Sequence, residues 1–101
     1  MAINQLKIVV SLLREITDGN VPKADDYGIT NTQYWDILDA MQDEGLIKDI
    51  KFTRGGRGNP IIGVFAESVK VTIKGMEYLN NNSALAKTYK GLKEIREWLP
   101  L

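Results

Sequence analysis

The sequence predicts an α+β domain in which helices are followed by a β-hairpin and then by further helices. Three observations predict it. Apolar residues recur at helical spacing between residues 4 and 18 and again between 30 and 44; a capping box stands at Thr30–Gln33; and two β-rich stretches flank the run Arg54-Gly55-Gly56-Arg57-Gly58-Asn59-Pro60.

The elements follow in order. From Asn4 to Asp18, residues 6, 9, 10, 13 and 16 form one apolar stripe that Ile8 and Leu12 widen, so the first helix is well buried. Asp18-Gly19-Asn20 supplies a left-handed stop, and Val21 is extended because a residue before proline avoids the α region. Lys23 to Tyr27 has room for a helical turn or two before Gly28. In Thr30-Asn31-Thr32-Gln33 the threonine hydroxyl can accept from the third helical amide while the glutamine reaches back to the cap amide. The helix that starts there buries Tyr34, Ile37, Leu38 and Met41 and ends at Gly45. Leu46 to Phe52 reads as one strand and Ile61 to Phe65 as its partner, with residues 54–60 as a hairpin tip that holds no regular structure. After an extended Val69-Lys70-Val71, Thr72 caps a helix whose apolar positions are Ile73, Met76 and Leu79, with Tyr78 beside them. Asn80-Asn81-Asn82 ends it. Ser83 then caps a final helix to about Leu99, with Leu85, Leu92, Ile95 and Leu99 as its stripe, Tyr89 at the edge and Pro100 as the stop.

That order is the order of a winged helix: three helices, a two-stranded wing, and here two C-terminal helices, all in one domain spanning residues 1–101. A closer resemblance rests on particular residues. Gly19-Asn20-Val21-Pro22, Gly28-Ile29-Thr30 opening a helix that ends in Glu44-Gly45-Leu46-Ile47, the Thr72–Leu79 run, and Lys87-Thr88-Tyr89-Lys90-Gly91-Leu92-Lys93-Glu94-Ile95-Arg96-Glu97-Trp98 resemble the YjcQ family across nearly the whole chain. The resemblance implies a winged-helix-like fold and a bacterial, often prophage-associated setting. It brings no activity and no binding residue to carry over.

Composition narrows the chemistry. The 101 residues include no cysteine and no histidine, which removes disulfides, thiol nucleophiles, imidazole bases and the zinc sites built from those ligands. No cofactor is expected. Absent cysteine fits a reducing cytoplasm, and Ile8-Val9-Val10 resumed by Leu12-Leu13 falls far short of the roughly 18 apolar residues of a membrane span, so a soluble cytoplasmic protein is expected. Formal net charge is zero, yet residues 1–50 carry 4 basic and 9 acidic side chains while residues 51–101 carry 9 basic and 4 acidic. The chain is dipolar in sequence.

Two surfaces compete for a role. The wing offers Lys51, Arg54, Arg57 and Asn59 to phosphates, with glycines that let the backbone approach a sugar-phosphate chain; the bland alternative is a solvated turn kept soluble by its arginines. At the start of the capped helix Thr32 and Gln33 are candidate base contacts, but the outward face of that helix is centred on Thr32, Asp36, Asp39 and Asp43. Carboxylates aimed at phosphates repel, so standard docking of this helix on double-stranded DNA is disfavoured. The acidic face suits a basic protein partner, with Trp35 on its flank as partial core or interaction anchor. Asp36, Asp39 and Asp43, even with Asp25 and Asp26, close no coordination sphere, so no metal is expected. Lys87, Lys90, Lys93 and Arg96 suggest a basic stripe on the final helix that Glu94 and Glu97 neutralise, and Trp98 suits a C-terminal anchor or a homodimer contact. No nucleophile has an evident base, and Gly55–Gly58 lacks the lysine and hydroxyl of a phosphate-binding loop, so the chain does not read as an enzyme. Two functions remain: a nucleic-acid-binding, phage-type regulatory protein working through Thr32, Gln33, Lys51, Arg54, Arg57 and Asn59, and a protein-interaction module working through Trp35, Asp36, Asp39 and Asp43, either of them a monomer or a homodimer.

Overall fold

The computed structural model describes residues 2–95, with side chains from residue 5 onward. Four helices and two small antiparallel sheets alternate along the chain: α1 (Ala2–Thr17), α2 (Asn31–Asp43), β1 (Ile47–Lys48), β2 (Lys51–Arg54), β3 (Ile61–Phe65), β4 (Lys70–Val71), α3 (Ile73–Asn81) and α4 (Ser83–Thr88), with 3-10 turns at Ala24–Tyr27 and Leu92–Glu94. The architecture is α+β, as expected. β2 pairs with β3 as the hairpin, and β1 pairs with β4 as a separate two-stranded ribbon.

Local chemistry explains the boundaries. α1 and α2 both end in Schellman motifs, Asn20 N–H donating to the Glu15 carbonyl and Leu46 N–H to the Met41 carbonyl, around Gly19 at φ 88° and Gly45 at φ 77°. The capping box forms as read: Gln33 N–H donates to Thr30 Oγ1 at 3.1 Å and Thr30 N–H to Gln33 Oε1 at 3.0 Å. The core gathers Ile8, Leu12, Leu13 and Ile16 of α1, Tyr34, Ile37, Leu38 and Met41 of α2, Tyr27 of the first 3-10 turn, and Leu46, Ile47, Ile50 and Ile95. At about 1.5–3 kcal/mol for each large apolar side chain removed from water, this cluster is the main stabilising term.

Polar groups that enter the core are paired. Ser11 and Tyr27, both fully buried, share a hydrogen bond of 2.8 Å, and Tyr34 donates its hydroxyl to the Pro22 carbonyl, fastening the extended 20–23 loop to α2. Glu15, 9% exposed, accepts from the Tyr89 hydroxyl at 2.6 Å and from Asn20 Nδ2 at 3.3 Å.

Four expectations need correction. The strand expected over Leu46–Phe52 is two, because Asp49 takes a left-handed φ of 68° and turns the chain from the β1–β4 ribbon into the hairpin. Arg54, assigned to the irregular tip, is the last residue of β2, paired with Ile61 across a bulge. The final helix stops at Thr88: Tyr89 is extended, Gly91 has φ 112°, and a 3-10 turn follows, so Lys87, Lys90 and Lys93 share no helical stripe. Arg96, Glu97, Trp98, Leu99 and Pro100 lie outside the described residues. On α3 the stripe is turned: Gly75 is the buried position, while Ile73 is 76% exposed and Met76 54%. A Cβ at residue 75 would collide with the Leu46 carbonyl and lie 2.8 Å from Val71 Cγ1, so the helix docks on its bare glycine and presents Ile73 and Met76 outward. Thr72 sets that docking. Its hydroxyl donates to the Gly45 carbonyl and accepts from Gly75 N–H, joining the end of α2 to the start of α3.

Candidate interface between the second helix and the hairpin

The hairpin lies along the side of α2, bonded to it at two heights and parted from it by a cleft at a third. At the C-terminal end of α2, the Gln42 carboxamide donates to the Ile50 carbonyl at 3.0 Å and accepts from Ile50 N–H at 2.9 Å, acting as a strand neighbour for the residue just before β2. In the middle, Arg54 donates to Asp39 at 3.2 Å. At the N-terminal end, a cleft of about 600 Å³ separates Thr32, Trp35 and Asp36 from Asn59, Pro60 and Ile62. β2 therefore runs from the end of α2 back toward its start.

Alternation sorts the hairpin side chains. Phe52 and Val64 are cross-strand partners and both pack on the core, so Lys51 with Phe65, and Thr53 with Gly63, occupy the opposite face. Phe65 is 63% exposed there. The bulge between Thr53 and Arg54 re-aims the strand end so that the guanidinium reaches α2 and, at 3.5 Å, the Asn59 carbonyl. The tip closes with Gly56 and Gly58 at φ 81° and Asn59 at φ 54°, and Asn59 N–H donates to the Gly56 carbonyl.

Three of the six residues offered for nucleic acid, Thr32, Arg54 and Asn59, meet at the cleft, and the others do not. Gln33 is tied into the capping box, Arg54 into Asp39, Lys51 sits on the far face of the hairpin, and Thr32 and Asn59 line the cleft. Arg57 is exposed at the tip. Of the residues offered for a protein partner, Trp35 and Asp36 line the same cleft. Trp35 is half-buried and packs on the core, as its partial-core reading expects, and it lines the cleft. Asp36 and Asp43 are exposed on α2, and Asp39 between them is the carboxylate that Arg54 engages. Gln42, Pro60 and Ile62 belong to this face although no sequence pattern singles them out; a glutamine between Met41 and Asp43 carries no signal that its partner is a backbone eight residues away.

Electrostatically the face sets the carboxylates of α2 against one partly exposed cation, Arg54, which also lines the cleft. The Arg54–Asp39 pair, with side chains 40% and 30% exposed, contributes about 0–1 kcal/mol after screening. Its larger effect is to engage a hairpin cation with a carboxylate of the same molecule. Among the described residues no group of three or more acidic side chains is placed to hold a metal ion, and no helix is long and apolar enough to cross a membrane.

Fold and face together define a small α+β domain in which a β-hairpin is laid along a capped helix. The chain belongs to the YjcQ family: the sequence model of the YjcQ protein matches residues 7–98. It is 30% identical over 97 residues to the uncharacterized protein YjcQ of Bacillus subtilis (strain 168), covering 95% of this chain and 98% of that protein. No solved structure matches the chain.

Proposed function

We propose that this protein is a winged-helix-type protein-interaction module, not an enzyme, and that its working surface is the face shared by α2 and the hairpin. The observation that carries this reading is the Arg54–Asp39 pair. It lays the wing along the helix that would have to enter a DNA major groove. The pair also commits one of the hairpin's cations to a carboxylate of the same molecule, which leaves one cation fewer for phosphates. The carboxylates of Asp36 and Asp43 add repulsion to phosphates.

A second reading has one observation in its favour. Arg57 stands at the exposed, glycine-flanked tip, the position from which a wing reaches phosphates, and Lys51, Asn59 and Thr32 would accompany it in a phage-type regulatory protein bound to double-stranded DNA.

One titration separates the two. A labelled generic duplex is followed by anisotropy at about 50 and about 200 mM salt, where phosphate contacts weaken steeply. The interaction reading expects no salt-sensitive micromolar binding. Binding that is lost in an Arg54→Ala, Arg57→Ala double variant would overturn it in favour of the wing. In parallel, a photo-crosslinker at position 62, in the cells that carry the protein, is expected to give a discrete protein adduct, and one at position 77 of α3 is not. A nucleic-acid adduct at position 62 would also sink the reading.

A further inference from the structure

We propose that residues 89–95 form a strap that opens as a unit while the rest of the fold stays closed, with the Tyr89 hydroxyl on Glu15 as its latch and the break after α4 as its hinge. This conformational device is independent of the interaction reading above.

The backbone leaves the strap free to lift. α4 ends at Thr88, Tyr89 is extended, and Gly91 takes φ 112°, a conformation that favours glycine and ends the helical path. Beyond that point the main chain bonds only within its own turn: Glu94 N–H donates to the Gly91 carbonyl at 3.3 Å, and Ile95 N–H to the Leu92 carbonyl. Among the described residues, no backbone group of residues 90–95 bonds to another element. Lifting them therefore breaks no helix or sheet ladder, whereas α1, α2 and both ribbons can open only by breaking theirs.

Side chains hold the strap down. Tyr89 donates to Glu15 Oε2 at 2.6 Å across 74 residues of chain, Ile95 is 2% exposed in the core, and Leu92 packs on the core's edge. The latch has room for water beside it, because Glu15 and Leu92 line a hollow of about 640 Å³ whose other wall is the 19–23 loop. When the phenol leaves, water takes its place on the carboxylate, and Asn20 Nδ2 keeps its own bond there at 3.3 Å. Opening then exposes Leu92 and Ile95, a small part of the apolar surface that global unfolding exposes.

The chain has no cysteine, so one introduced thiol reports on opening. Ile95→Cys puts it under the end of the strap, and Leu38→Cys, at a site 1% exposed on α2, puts it in the closed body. Both are reacted with a disulfide reagent in the folded protein, without urea and in about 1 M urea. Ile95→Cys is expected to react at least about a hundredfold faster than Leu38→Cys and with a rate nearly independent of urea, since a local opening exposes little surface. Adding Tyr89→Phe, which removes the latch oxygen alone, is expected to speed the reaction at position 95 about tenfold and at position 38 less than about twofold. Equal rates and equal urea dependence at the two positions would show that the strap opens only with the whole fold and overturn the inference. Equal acceleration at both by Tyr89→Phe, or none at position 95, would reject Tyr89 as the latch.

Discussion

The Gln42 side chain satisfies both backbone polar groups of Ile50, eight residues away, with bonds of 3.0 and 2.9 Å. Ile50 is itself buried, so these groups have poor access to water. Gln42→Ala is therefore expected to destabilise the fold by about 1–3 kcal/mol in urea titration. Amide exchange at residues 51–54 and 61–65 should accelerate with it. An unchanged midpoint and unchanged hairpin protection would show that the pair does not hold the hairpin.

Gly75 is the contact point of α3. A methyl group there meets the Leu46 carbonyl, which belongs to the backbone and cannot swing aside, so Gly75→Ala is expected to cost about 1–3 kcal/mol despite alanine's better helix propensity. Ile73→Lys and Met76→Lys on the outer face should stay within about 0.5 kcal/mol of the parent. The reverse order in chemical denaturation would mean that α3 is rotated.

Ser11 and Tyr27 form a coupled pair. Ser11→Ala removes the oxygen 2.8 Å from a buried phenol and is expected to cost about 1–3 kcal/mol, whereas the double change with Tyr27→Phe should cost clearly less than the two single changes added. Simple additivity in the four-protein cycle would count against the bond.

Alkaline pH should loosen the protein. Burial, with the Asp26 charge as a smaller contribution, pushes the Tyr34 phenol up to about 12, and burial likewise raises Tyr27 and Tyr89. Each holds its proton in the native state above the ordinary value of 10.0 at which the unfolded chain loses it. The native state then binds more protons, so stability falls with rising pH. The stabilisation from Tyr34 is complete below pH 10.0 and is lost progressively toward about 12. Thermal melts at pH 8 and 11 should show the drop, and Tyr34→Phe should flatten its slope. A pH-independent melting temperature would contradict the burial of these phenols.

Much of this was legible without coordinates. α1, the capping box at Thr30, the buried face of α2, the glycine stops at residues 19 and 45 and the hairpin pairing rest on spacing and on a few residues whose backbone preferences act locally. The acidic character of α2 was legible for the same reason. The misread parts depend on partners distant in sequence. Asp49 looks like any strand-end polar residue until Gln42 captures Ile50 beside it. Ile73 and Met76 look like core until the Leu46 carbonyl claims the Gly75 side of the helix. The stretch from Lys87 to Glu94 reads as helix until Gly91 and the reach of Tyr89 to Glu15, 74 residues away, break it.

The candidate site shows the same division. Its ingredients, Trp35, Asp36, Asp39, Asp43 and Arg54, are visible in the chain as an acidic face and a basic hairpin, since composition and helical periodicity are one-dimensional properties. Whether the two oppose each other across solvent or close on each other depends on where the hairpin lies, and that is a long-range matter of packing and hydrogen bonding. By turning Arg54 onto Asp39 rather than outward, folding converts two separate charge patterns into one acidic, cleft-bearing face.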